Sequence, residues 1–139
     1  MMHRLLWAAM IPVTMFLAGC ENSATAFMID GREHALILVR EQSLPFSEVN
    51  QFILVTRMPH CQRRWRIQPD ATPLAPIKVY AAGERLWALE QKGRWYLAST
   101  EECQVQVWQT PDPARLMGLV GTFTNQEGQI RFTPAKQPL

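Results

Sequence analysis

The chemistry this chain can offer is concentrated in a run of cations, Arg57, Arg63, Arg64 and Arg66. Alternate residues of a β-strand share a face, so Arg64 and Arg66 would point the same way. With Arg57 nearby, they make a candidate fork for a phosphate or a carboxylate. The plainer alternative is a solvated strand edge whose charges block edge-to-edge pairing. A second candidate is Trp108, which falls on a polar strand face with Gln104 and Gln106. An exposed indole there would serve as an interface anchor, as a cover for the sheet edge, or as a contact with a membrane surface.

Catalytic groups are scarce. Past residue 20 the histidines are His34 and His60. His34 heads an apolar run and reads as a strand end. His60 sits in Met58-Pro59-His60-Cys61, and a Cys-His dyad there would need a free thiolate. No serine stands in a Gly-x-Ser-x-Gly elbow, and there is no glycine-rich phosphate loop. Glu101 and Glu102 adjoin, but on a strand they would point to opposite faces. Two isolated cysteines lack the close-spaced pairs of a zinc site. The sequence therefore predicts no enzyme, no metal and no cofactor.

The N-terminus is more specific. Met1-Met2-His3-Arg4 is a short basic start, and Leu5 to Ala18 is apolar apart from Thr14, with Pro12 inside it. A positive segment, an apolar segment and small residues before a cut are the layout of a secretory leader. The apolar run of about 14 residues falls short of the ~20 that a permanent transmembrane helix needs. Leu17-Ala18-Gly19-Cys20 is similar, position for position, to the lipobox of bacterial lipoproteins. The resemblance covers only the leader. It implies a diacylglyceryl group on the Cys20 sulfur, cleavage between Gly19 and Cys20, and acylation of the new N-terminus. One acyl chain binds a membrane reversibly, whereas two or more anchor a protein stably. Lipoproteins with Asp after the cysteine tend to stay in the inner membrane. Glu21 in that place favours the outer membrane, on its periplasmic side, with the inner membrane as the alternative.

With Cys20 assigned to lipid by that resemblance, Cys61 and Cys103 remain as an even pair in an oxidising compartment. The simplest reading is one disulfide. Its loop of about 43 residues would contribute roughly 4 kcal/mol in the chain-entropy model. The staple would also remove the thiolate that a His60 dyad needs. Without residues 1–19, about 120 residues remain, enough for one domain and too few for two. Their net charge of about +1 gives no electrostatic reason for a nucleic-acid partner.

Ten prolines and seven glycines favour many short elements over long helices. Residues 20–23 read as the lipidated Cys20 and a short tether, and 24–139 as one β domain. Asp30-Gly31 between β-rich runs predicts a tight hairpin. Residues 34–40 and 51–58 are nearly continuous in apolar side chains, which predicts strands buried on both faces. One helical turn is expected at 47–50, and residues 69–76, with three prolines, read as a rigid exposed loop. Strands at 61–67 and 77–81, a hairpin of 85–90 with 94–99, a strand at 103–109 and a last hairpin of 119–124 with 129–133 follow. Trp65, Trp87 and Trp95 fit core positions, and the tail from Pro134 is expected to fray. The pattern predicts an all-β fold: an antiparallel sandwich or small barrel of about eight strands, mostly a meander, after the N-terminal signal helix.

The function this predicts is a membrane-anchored envelope lipoprotein that binds another envelope protein as an accessory or assembly factor. The alternative is a β module that holds lipid or another anion near Arg57, Arg64 and Arg66. Phospholipid head groups and peptidoglycan carboxylates are anions of that compartment. A further alternative is an enzyme inhibitor working through residues 69–76. No family resemblance extends past the leader.

Overall fold

A computed structural model describes residues 19–136. Residues 1–18, where the signal helix is expected, lie outside the described residues, as does the tail beyond 136. The described chain is an antiparallel β-sandwich. Its strands are β1 (Asn22–Met28), β2 (His34–Gln42), β3 (Val49–Arg57), β4 (Cys61–Asp70), β5 (Ile77–Gly83), β6 (Leu86–Gln91), β7 (Arg94–Ser99), β8 (Gln104–Val107), β9 (Gly118–Gln126) and β10 (Gln129–Pro134). The four-stranded sheet runs β1-β2-β3-β4 and the six-stranded sheet runs β10-β9-β5-β6-β7-β8. The sheets do not merge into a closed barrel. The meander holds through β8. The chain then crosses back so that β9 pairs with the free edge of β5.

Turn chemistry sets two of the hairpins. Lys92-Gly93 and Glu127-Gly128 each place both central residues at positive φ, the conformation whose twist matches a two-residue hairpin. At Asp30-Gly31 only Gly31 has positive φ. The amides of Ile29 and Asp30 both bond the His34 carbonyl, so residues 29–33 form a longer connection instead of the tight turn expected there.

Strand alternation points one face of each sheet inward. Leu36, Leu38, Ile53, Val55 and Ile67 meet Ile77, Val79, Trp87, Leu89, Tyr96, Ala98, Val105 and Phe123 between the sheets. At one open side Phe27 of β1 stacks on Phe132 of β10 with ring centres 4.5 Å apart. At the other, the Cys61–Cys103 disulfide joins the first residue of β4 to the turn before β8, with Cα atoms 5.9 Å apart. The expected staple is therefore present, and it links the two sheets.

Several expectations are corrected. Residues 21–23 are no tether: Asn22 already opens β1, and the Glu21 carbonyl accepts from the Gln42 amide at 2.9 Å. No helical turn forms at 47–50, because Val49 opens β3. Residues 69–76 are not simply exposed: Asp70 closes β4, and Asp70 and Leu74 are buried. Trp95 is not in the core. It pairs with Glu90, out of phase with the buried Tyr96, and so lies on the outer face of its sheet. Pro134 ends β10, and the Ala135 amide bonds the Val120 carbonyl at 2.9 Å, so this part of the tail is held.

Candidate docking surface

The apolar runs of β2 and β3 are fully buried on the inner face, and on the outer face only at the Ala35–Thr56 pair. Ile37 and Val39 of β2, and Phe52 and Leu54 of β3, alternate with core residues and are half-buried. Register aligns them in two rungs across the four-stranded sheet. One runs Ala26, Ile37, Leu54, Arg64, and the other Ala24, Val39, Phe52, Arg66. The result is an apolar outer face bounded on the β4 side by two guanidinium groups. No second layer of the described chain lies over it. A sheet with one solvated face ordinarily alternates apolar and polar residues, so these outward Ile, Val, Phe and Leu side chains depart from the rule.

The rim is organised. The Arg64 guanidinium carbon lies 3.6 Å from the Phe52 ring centre, in cation–π contact, and Arg66 stands 5.7 Å away. Arg64 also donates to the Glu41 carboxylate at 2.8 Å, and Arg66 to the Asn50 side-chain oxygen at 2.8 Å. The expected pairing of Arg64 and Arg66 on one face is thus present. Arg57 does not join them. Its register partner is Cys61, which puts it on the inward parity. Its guanidinium donates to the carbonyls of Thr100 at 2.7 Å and Glu101 at 3.0 Å, bracing β3 against the β7–β8 turn. Arg63 shares the inward parity of Val55 but sits on an edge strand and is exposed.

Trp108 has the parity expected of it and is half-buried, not free. It meets Trp95 edge-on at 6.0 Å, with Arg115 5.7 Å from its ring centre. The β8–β9 connection carries a short 3₁₀ turn, Pro113–Arg115, and then bonds Ala81 through the Met117 amide at 2.7 Å. The outer face of the six-stranded sheet is packed by its own side chains: Tyr80 lies 5.5 Å from Trp95, and Ala88 and Leu97, which share the parity of Trp95, are buried. One sheet carries the Tyr80–Trp95–Trp108 cluster on its outer face, and the other carries the aliphatic patch and Phe52. No family model, curated protein or solved structure matches this chain. The surface itself has to carry the functional reading.

A buried polar cluster, which the sequence reading did not single out, holds one end of the sandwich. Arg40 is 0% exposed. Its five donors are all used: Nε and Nη2 on the Glu21 carboxylate at 2.7 and 3.0 Å, Nη1 on Gln51 Oε1 at 2.6 Å and Asp70 Oδ2 at 3.2 Å, and Nη2 on the Ala71 carbonyl at 2.9 Å. Gln91 of β6 bonds Gln51 and the Ala75 carbonyl, each at 2.9 Å. Lys92 bonds Asp70 at 2.6 Å. Among the described residues no buried side-chain nitrogen or oxygen lacks a partner. The sequence did carry a signal: Arg40 follows Leu36 and Leu38 at the spacing of one strand face, and Gln51 precedes Ile53 and Val55 likewise.

Burial pushes the Asp70 carboxyl up, but the Lys92 ammonium and the amides of Ala75 and Ala71 outweigh it and hold the group below its ordinary 3.8. At the other end of β2, burial and the charges of Arg57 and Arg85 outweigh Asp30 and lower His34 below its ordinary 6.5. Its ring bonds the Thr100 hydroxyl at 2.8 Å. In both cases the unfolded chain binds the proton more readily, so stability rises with pH through the window. The His34 contribution is complete above pH 6.5 and erodes as pH falls below it. The Asp70 contribution is complete above 3.8 and is lost as pH falls through its lowered folded value. Urea midpoints measured from pH 8 downwards are expected to fall in two stages. Asp70→Asn should flatten the second stage and leave the first.

Proposed function

We propose that this chain is an envelope lipoprotein anchored through Cys20, and that it binds another envelope protein without chemistry of its own. The observation that carries this reading is the uncovered apolar face of Ile37, Val39, Phe52 and Leu54 beside Arg64 and Arg66. Its chemistry defines the partner's surface: apolar side chains at the centre and carboxylates along the margin that meets β4. Apolar centres contribute most of the binding energy and charged rims favour the right partner. The disulfide between Cys61 and Cys103 suits the oxidising side of a membrane. Glu21 after Cys20 favours the outer membrane.

The lipid- or anion-binding alternative has less support. It needs the arginines around the mouth of a cavity. Arg64 and Arg66 lie across the sheet from the core, and Arg57 is committed to backbone carbonyls. An inhibitor acting through residues 69–76 would have to spare Asp70 and Leu74, which are buried.

Photo-crosslinking in intact cells tests the docking reading. A crosslinking residue at Leu54 is expected to trap one protein of defined mass, and the same residue at Thr122, outside the other sheet, none. Arg64→Glu with Arg66→Glu should reduce the Leu54 adduct about tenfold or more, through like-charge contact with the partner's margin. A self-adduct of this chain, or an adduct indifferent to the two substitutions, would overturn the reading.

A further inference from the structure

The loop between β2 and β3 carries the most exposed large apolar side chains of the described chain near Cys20. Phe46 is 96% exposed and Leu44 66%, with Pro45 exposed between them. Such a tip gains nothing for folding. Phe46 also has φ of +63°, a conformation that L residues other than glycine, Asn and Asp adopt at a cost. The loop is nonetheless tightly held. Ser47 Oγ donates to the Leu44 carbonyl at 2.6 Å, and the Ser47 amide bonds the same oxygen at 3.2 Å. Gln42 Nε2 donates to the Ser47 carbonyl at 2.8 Å. Strain maintained by surrounding bonds at an exposed position points to a use outside the fold.

Position supplies the occupant. Pro45, Phe46 and Ser47 line one depression together with Gly19, Ala71 and Thr72, so the tip stands beside the residue that precedes Cys20. Cys20 is exposed and outside the disulfide. The backbone after it is fixed at once: Glu21 clamps Arg40, its amide donates to Gln42 Oε1 at 2.9 Å, and Thr72 bonds its carboxylate at 3.2 Å. The attachment point and the apolar tip thus belong to one rigid end of the sandwich. We infer that Leu44, Pro45 and Phe46 dip into the interfacial layer of the bilayer that holds Cys20, giving the domain a second contact and a fixed orientation. Apolar and aromatic side chains partition into that layer. The inference rests on the proposed lipidation. It deepens that reading by setting the direction of the docking face: with this end down, the β2 and β3 strands and their outer face stand up from the membrane.

The test uses the full chain as cells process it, extracted and reconstituted in phosphatidylethanolamine–phosphatidylglycerol vesicles. An environment-sensitive fluorophore is placed on Phe46→Cys, with Leu44→Cys as a second position. Arg32→Cys, in the turn at the far end of β2 about 30 Å away, is the reference. The expected result is a blue shift and quenching by brominated lipids at 46 and 44, with the water value retained at 32. Equal water values at all three positions, in protein whose mass includes the acyl groups, would overturn the inference and leave the anchor standing. A mass without acyl groups would overturn the anchor, and this inference with it.

Discussion

Replacing Arg40 with alanine is expected to destabilise the domain by about 3–5 kcal/mol, the cost of removing one member of a buried charge network. That is a large share of the roughly 5–15 kcal/mol of a typical domain. The size follows from what the guanidinium holds. Its partners come from the N-terminal segment, β3, the end of β4 and the β4–β5 loop, so one deletion removes hydrogen bonds in four places. Gln51 loses its 2.6 Å bond, and Asp70 loses its guanidinium, keeping Lys92, the Ala75 amide and a longer bond from Gln91 at 3.4 Å. Arg40→Lys should recover less than half, because an ammonium is a point charge and cannot reproduce the planar fork on Glu21. Glu21→Ala should cost less than Arg40→Ala, about 1.5–3 kcal/mol, since its carboxylate is partly exposed. Urea unfolding followed by tryptophan fluorescence measures all three. Near-equal midpoints for wild type and Arg40→Ala would mean that the network is not holding this end.

Strand positions were largely legible because alternation and turn residues are local signals. The runs at 34–40, 51–58, 61–67 and 94–99 became β2, β3, β4 and β7, with ends moved by a few residues. The disulfide was legible as the even pair left once Cys20 is set aside. What the sequence could not state was which face of an all-apolar strand meets another layer. Leu36-Ile37-Leu38-Val39 reads as doubly buried, yet only Leu36 and Leu38 face the second sheet. Whether Ile37 and Val39 are covered depends on where a distant segment runs. The same non-locality hid the partition of the arginines. Arg57 and Arg64 are close in sequence, but the β3–β4 turn separates their parities, so one braces the sheets and the other sits outside. Trp95 misled for a similar reason. A tryptophan beside Tyr96 looks like core, and Trp95 instead packs outside the sheet between Tyr80 and Trp108, residues distant in sequence or across a strand pair.

Removing the disulfide by Cys61→Ala with Cys103→Ala is expected to cost roughly 4 kcal/mol for a closed loop of this length. The two sheets share no ladder hydrogen bonds, so at this side packing, the Arg57 brace and the side-chain bonds of His34 and Trp65 remain once the covalent link is gone. The Trp65 indole donates to the Cys103 carbonyl at 2.7 Å, so its fluorescence should report local loosening before global unfolding. The pairing with Arg40 makes the sharper test. Along β3 the two devices are about 20 Å apart, from Gln51 to Arg57, beyond the range at which substitutions usually couple. Their costs should therefore add to about 7–9 kcal/mol, and the chain lacking both should be unfolded or nearly so without denaturant. If instead the combined loss were no greater than either alone, the sandwich would be opening at one end first. The Arg40 cluster and the staple would then be guarding the same step.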